Sequence, residues 1–507
     1  MSLLKLPQEI ITQIFDHLAD DDQACSFSDD VELRLLLCAL ARMCRRFWRP
    51  ATDQLYARVV FVLAGPDSLP VSRRMRLLSA RLRADPAVEA RIRSCYITWD
   101  GPSQRTRRDK KAYDEFVDQL SRSESLVRLG LRISAVTTPR FLRFLGPGGF
   151  QFPALKELEL EIGDTRNHPF QPADLIIDLF ELPRLETMAL QAPVAGFSWR
   201  ILDDEVLGVP LPHLKELSTG WSRPVSTDLL AAVLPRAPNL ENLQLLVPGR
   251  AELAAREYNS DTSTMGYDLL EPLQPARLGG LLAPVAESLK YLQLEATNVT
   301  FPGHDHTRID LSAFRSLRHL TISSYLLFGD GPVASGYEES QPLWRSLPPR
   351  LEDLEISFDG RQGVFWSMTE MREEPSIFEH AHWERRHRDS YVEWLAELLA
   401  AVAIGKGTQG TADSSRDGNA TITLGSVSIM EGDFVDSDRN WEIARWSAMT
   451  GRLKDLAKTA GAELVIHLRV PRDFKSNECE VVCEAWQDVD DDLLTQDGIE
   501  LEESEDD

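Results

Sequence analysis

The stretch Pro153-Ala154-Leu155-Lys156-Glu157-Leu158-Glu159-Leu160-Glu161 carries the pattern on which the fold of this chain turns. A Pro announces it and Leu155 follows. Leu158 and Leu160 then alternate with Glu157, Glu159 and Glu161. Alternation of apolar and charged residues is the period of a strand with one buried face. The Leu-x-x-Leu-x-Leu order returns at Leu126-Leu129-Leu131, Leu155-Leu158-Leu160, Leu185-Met188-Leu190 and Leu214-Leu217-Thr219. It continues at Leu240-Leu243-Leu245, Leu289-Leu292-Leu294, Leu317-Leu320-Ile322 and Leu351-Leu354-Ile356. Pro183, Pro212, Pro238 and Pro349 announce further copies, and the first five copies start 26 to 30 residues apart. Between copies, Pro172 to Leu182 and Thr227 to Leu234 carry apolar residues at helical spacing. Parallel strands need such a return segment. A unit this short buries its apolar face only against its neighbours, so the units must stack. The expected fold class is α/β, a solenoid with a parallel inner sheet.

In length and in the order of their leucines the copies resemble leucine-rich repeats. That family's Asn, three positions after the third Leu, is replaced by Gly163, Pro193 and Pro248 in three copies. The resemblance therefore implies an irregular array without a continuous asparagine ladder. Two less regular copies extend it: Arg91 to Trp99, with Ile92, Cys95 and Ile97, and Leu424-Val427-Ile429. Tyr391 to Ala403 and Trp441 to Ala460 read as helices, and Leu464 to Val470 as a last strand. The solenoid is expected over 90–472, with insertions near 248–284, 325–346 and 360–420. Within the last of these, Gly405 to Asn419 has the Gly, Ser, Thr and Asp composition of a flexible linker.

Composition bounds the function. The 507 residues are 43% hydrophobic, enough for a large core and too many for one simple globular one. Cys25, Cys38, Cys44, Cys95, Cys479 and Cys483 form no disulfide framework, which suits a reducing compartment. No apolar run approaches the ~20 residues of a membrane span, and Met1 to Ile10 lacks the features of a signal peptide. The expected location is cytoplasmic and/or nuclear, with no membrane contact. A net charge of -25 opposes nucleic-acid binding, which depends on Lys and Arg at phosphates. Asp488 to Asp507 holds eleven acids and no base, so 473–507 is expected to be a largely disordered acidic tail.

At the N-terminus, Leu6-Pro7-Gln8-Glu9-Ile10-Ile11 opens a helix, since Pro suits its first position. Ile10, Ile11, Ile14, Phe15 and Leu18 form an apolar stripe. The polar stretch Ala19 to Asp30 follows, then the apolar run Leu33 to Leu40, then Cys44-Arg45-Arg46-Phe47-Trp48. This order, Leu-Pro-x-Glu-Ile, Ile-Phe-x-x-Leu, a leucine run and Cys-Arg-x-Phe-Trp, resembles the F-box. The resemblance implies a three-helix unit over 1–62 that docks on a Skp-type adaptor of a cullin–RING ubiquitin ligase. It assigns Leu6, Pro7, Ile10, Ile14, Phe15 and Leu18 to the adaptor face, and Phe47 and Trp48 to the unit's own core. The gap from Leu18 to Leu33 is longer than the family usually has; its Asp20, Asp21, Asp22, Asp29 and Asp30 point to a solvated loop. Read from the helices alone, the segment could instead be a cap on the repeats. A helical segment at 63–89 is expected to connect the two parts.

No catalytic constellation is present. There is no Gly-Lys-Ser/Thr phosphate loop and no His-Glu-x-x-His. Gly146 to Gly149 reads as a turn. Cys479 and Cys483 lack a second ligand pair; His382 and His387 lie five apart, the wrong spacing for one helix face, and His304 and His306 sit with Asp305 in an expected loop, each read as a solvated or core residue. No metal or cofactor is expected. The arginines of Arg73 to Arg83 and Arg105 to Lys111 read as solvated faces. The residues between the repeat leucines face solvent on the inner sheet, and acids outnumber bases there. Glu157, Glu159, Glu161, Glu216, Tyr291, Glu295, Asp353 and Glu355 are the candidate target-binding residues, suited to a basic partner. The expected function is a non-catalytic substrate-recognition subunit of an SCF-type ubiquitin ligase, acting in ubiquitin-dependent protein degradation. The alternative is a protein-interaction scaffold without ubiquitination.

Overall fold

The computed structural model describes residues 6–19, 27–61, 71–99, 115–134, 152–163, 182–191, 210–219, 227–247, 275–296, 307–328, 343–358, 366–368, 392–404, 424–431, 441–443, 446–470 and 479–484. The chain divides into two compact units, Met1–Leu273 and Gln274–Asp507.

The first unit opens with three helices, α1 (Gln8–Ala19), α2 (Phe27–Met43) and α3 (Arg45–Ala57). Ile11, Phe15, Leu37, Phe47 and Ala51 form their core, with Leu6, Leu40, Ala41, Cys44 and Leu55 packed against it. The Phe15 and Phe47 rings lie 6.0 Å apart in a tilted pair, a favourable aromatic geometry. Arg46 donates to the Leu6 carbonyl at 2.6 Å and Gln8 donates to the Arg46 carbonyl at 3.2 Å, tying the start of α1 to the start of α3. Asp29 and Asp30, expected in a loop, fall in the first turn of α2.

No linker follows α3. It ends at Ala57, and β1 (Arg58–Phe61) begins at the next residue. Helices α4 (Val71–Ala84) and α5 (Pro86–Glu89) form the connecting segment. Then come β2 (Ser94–Trp99), β3 (Arg128–Ser134), β4 (Glu157–Gly163), β5 (Thr187–Gln191), β6 (Glu216–Ser218) and β7 (Asn242–Val247). Each strand pairs in parallel with the one before it. The sheet therefore starts at Arg58, ahead of the expected boundary at 90. Val59 and Phe61 are buried, and Phe61 meets Phe116 edge to face at 5.1 Å, which is why these residues join the sheet.

Register follows the leucines. Leu129, Leu158, Met188, Leu217 and Leu243 stand side by side on successive strands, all buried. The preceding leucines, Leu126, Leu155, Leu185, Leu214 and Leu240, are buried beneath the turns that enter the strands. One backbone bond recurs there. The Lys156 and Glu157 N–H groups donate to the Val127 carbonyl, those of Glu186 and Thr187 to Lys156, and those of Lys215 and Glu216 to Glu186. Each turn is thus locked onto the previous copy, satisfying backbone groups that a buried turn would otherwise strand. The helix Thr227–Val233 forms where helical spacing predicts it, whereas Pro172 to Glu181 lie outside the described residues.

The second unit repeats this construction. Its strands are β8 (Tyr291–Ala296), β9 (His319–Ser323), β10 (Asp353–Phe358), β11 (Trp366–Met368), β12 (Ser426–Glu431), β13 (Trp441–Ile443), β14 (Glu463–Val470) and β15 (Cys479–Glu484). β8, β9, β10, β12 and β14 pair in parallel, in that order. Leu294, Ile322, Ile356, Ile429 and Ile466 line up across them, all buried. The helix at 392–404 seats Trp394 edge-on to Phe328, with ring centroids 4.8 Å apart.

Three expectations change here. Trp441 to Ala460 is not one helix: Trp441–Ile443 pairs antiparallel with Trp366–Met368, and the helix starts at Trp446. β14 is not the last strand, because Cys479–Glu484 pairs antiparallel with it. Sheet thus continues past 472, where an unfolded tail is expected; the dense acidic run begins only at Asp488, beyond β15. The insertions also contain regular structure: Pro275–Leu282 and Ser324–Phe328 are helices, and Leu343–Ser346 is a short 3-10 turn. Gly146 to Gly149, Gly405 to Asn419, His304, His306, His382, His387 and Arg105 to Lys111 lie outside the described residues.

Candidate functional site

The first candidate is the outer surface of the three-helix unit. On α1, Ile11 and Phe15 turn inward at i, i+4 spacing. Ile10 and Ile14 stand one residue earlier, about 100° around the helix, and remain 40% and 37% exposed. Pro7 is exposed and Leu6 half-buried. The side chain of Leu18 lies outside what is described. The apolar stripe is therefore divided between two duties. Phe15, assigned by resemblance to the adaptor face, is a core residue at 4% exposure against Phe47. The converse applies on α3. Trp48, assigned to the core, is 56% exposed, because Phe47 and Ala51 occupy the inward positions and the next residue rotates out. On α2, Leu35, Leu36 and Met43 are exposed as well. An apolar run wider than one helical stripe, such as Leu33 to Leu40, signals surplus apolar surface, although its direction needs the packing. Six of the exposed large apolar side chains among the described residues thus sit on this unit.

That unit is fixed to the first sheet. The Arg93 N–H donates to the Ala57 carbonyl at 2.8 Å, and Arg91 bridges Asp53 of α3 at 3.0 Å.

The second candidate is the polar face of the strands. In the first unit it is partly self-neutralised. Arg128 Nε lies 2.7 Å from Glu157, and Arg132 Nε lies 3.3 Å from Glu161. Glu159 stands between them with its carboxyl pushed up by burial and by the charge of Glu161. Tyr96 is also pushed up, by burial and then by Glu159 and Glu161. Its ring lies across Gly130 of the next strand, where an added Cβ would come within 2.2 Å of it. Gly130 therefore admits the Tyr96 ring, a role invisible in a Leu-x-Leu pattern. At the strand entrances, Lys156 and Lys215 bridge Glu186 at 2.6 and 2.8 Å and hold its carboxyl down at about 2. Glu216 is half-buried on β6.

In the second unit, Tyr291, Glu295, Asp353 and Glu355 do share one strand face. The Tyr291 hydroxyl lies 3.1 Å from Gln293 Oε1, and Gln293 donates to Glu295 at 2.6 Å. Asp353 lies 2.6 Å from His319 Nδ1 and accepts from the Ser426 hydroxyl at 2.5 Å. The Glu295 carboxyl is raised by burial, with the charge of Glu355 adding to it, and burial also raises Tyr291. This is a hydrogen-bonded polar surface with acidic character. Among the described residues, no group of three or more His, Cys, Asp and Glu is placed to hold a metal ion. No described helix is long and apolar enough to cross a membrane.

The three-helix unit thus carries exposed large apolar side chains on each of its helices. Residues 3–62 match the F-box-like family, so the N-terminal unit is an F-box-like domain. No curated protein matches the chain. F-box domains bind Skp-type adaptors of cullin–RING ligases, and proteins that carry one are typically non-catalytic substrate receptors.

Proposed function

We propose that this chain is the substrate-recognition subunit of an SCF-type ubiquitin ligase. The F-box-like domain holds the Skp-type adaptor through Leu6, Pro7, Ile10, Ile14 and Leu18, joined by Trp48. The polar faces of the strand arrays hold a target protein, and we read the arrays as irregular leucine-rich repeats stacked as a solenoid. Glu157, Glu159, Glu161 and Glu216 in one unit, and Tyr291, Glu295, Asp353 and Glu355 in the other, contact the target, a protein with basic character. The ligase ubiquitinates the target for degradation in the cytoplasm and/or nucleus, and the chain itself contributes position and selection.

The observation that carries this reading is the exposure of Ile10, Ile14 and Trp48 on a unit that matches the F-box-like family. The test is co-purification of the adaptor with the full chain carrying Ile10→Glu and Ile14→Glu, followed by turnover of co-purified proteins. Adaptor is lost while the melting curve is kept, because both residues lie outside the core. Undiminished adaptor capture would remove the reading. Capture of adaptor without any change in partner turnover would favour a scaffold instead.

A further inference from the structure

In the second unit, the helix at 392–404 and the helix Trp446–Ala460 run beside a groove of about 700 Å³. Its floor is apolar, formed by Ala396, Ala400 and Leu456. Alanines at i and i+4 keep that floor low. Ile404, four residues further along the same stripe, is 69% exposed. The rim is charged. Among the described residues, Arg452 is the one cation lining the groove, and it is held by Glu393 through two contacts of 2.6 and 3.0 Å. Glu397 and Asp455 are exposed on the same rim, and among the described residues their carboxylates have no partner. Among the described residues the groove therefore combines an apolar trough with two carboxylates that no cation meets.

We propose that this groove docks a basic amphipathic segment of a partner protein. An apolar side chain of the segment fills the trough over Ala396 and Ala400, beside Ile404, and Lys or Arg residues flanking it meet Glu397 and Asp455. Charge complementarity selects the occupant: like charges on the rim repel an acidic segment. The apolar floor distinguishes the site from a plain acidic surface, since helix-in-groove recognition needs anchors as well as charge. This surface belongs to the two helices and not to the strand face, so it stands or falls independently of the ubiquitin-ligase reading.

The test uses the full chain and a fluorescein-labelled leucine–lysine amphipathic helical peptide, with its leucine–glutamate counterpart as the opposite-charge probe. Two variants are compared with wild type, Glu397→Lys with Asp455→Lys, and Ala400→Trp, which fills the trough. Affinity for the lysine peptide falls about tenfold in the charge-reversed variant, the size expected from converting two rim attractions into repulsions. It falls comparably in Ala400→Trp. The glutamate peptide, which wild type rejects, gains affinity for the charge-reversed variant. The same differences persist when 488–507 is deleted, which separates the groove from the acidic tail. Equal binding of the lysine peptide to wild type and to the charge-reversed variant overturns the proposal. So does equal binding of a leucine-free lysine peptide, which would reduce the site to charge alone. A wild-type dimer in sedimentation that Ala400→Trp converts to monomer would assign the groove to a second copy and also overturn it.

Discussion

Phe15→Ala separates the two faces of α1. Phe15 is 4% exposed and packs among Ile11, Leu37, Phe47 and Ala51. An aromatic of this kind buries about 150–250 Å², worth roughly 4–6 kcal/mol at ~25 cal/mol per Å² as an upper bound. Measured Phe to Ala changes in cores run at about 3–5 kcal/mol, and the lost pairing with Phe47 lies within that range. Five residues make up this cluster, so removing one ring should unfold the unit locally. Hydrogen exchange over 8–57 in the full chain is the assay, beside adaptor capture. Phe15→Ala should raise exchange throughout α1 and α3 and lose the adaptor through unfolding. Ile10→Ala, at an exposed site, should change stability by no more than ~0.5 kcal/mol and weaken adaptor capture alone. If Phe15→Ala leaves exchange unchanged yet abolishes capture, Phe15 is an interface residue and the division of the stripe is wrong.

Further outcomes follow from the strand faces and the chain end. Gly130→Ala should destabilise by about 1–3 kcal/mol through its clash with Tyr96, and adding Tyr96→Ala should recover part of the loss in thermal melts. Glu186 has its carboxyl lowered from 4.5 to about 2 by Lys156 and Lys215. Its contribution should be complete above pH 4.5 and be lost as pH falls towards 2. Glu186→Gln should therefore cost about 1 kcal/mol or less at pH 7, with the difference from wild type shrinking over that acidic window. Replacing Glu157, Glu159 and Glu161 with Lys should weaken salt-sensitive capture of a basic partner, and should lower the melting temperature modestly because Lys then faces Arg128 and Arg132. Leu158→Ala, by contrast, should cost about 2–5 kcal/mol. Deleting 488–507 should leave the melt unchanged, whereas deleting from 479 removes β15 and should lower it by uncovering the β14 edge.

The strand positions were legible because period-2 alternation is a local property. Leu158 and Leu160 bury themselves in any fold that offers a parallel neighbour, and all eight Leu-x-x-Leu-x-Leu copies became strands. The F-box-like domain was legible for a similar reason, since its motif order survives in sequence. What a pattern cannot carry is direction around a helix or pairing across a sheet. Ile10 and Ile14 are as apolar as Ile11 and Phe15, and only the docking of α3 against α1 decided which pair was buried. The glutamates of β4 read as a bare acidic strip until register placed Arg128 opposite Glu157 and Arg132 opposite Glu161. Trp441–Ile443 took strand form because Trp366–Met368 offered an edge far away in sequence. The sequence by itself determined which residues alternate, which segments repeat and where charge accumulates. The tertiary structure alone decided which apolar side chains stay outside and which charges meet, because burial and pairing depend on neighbours that lie tens of residues apart along the chain.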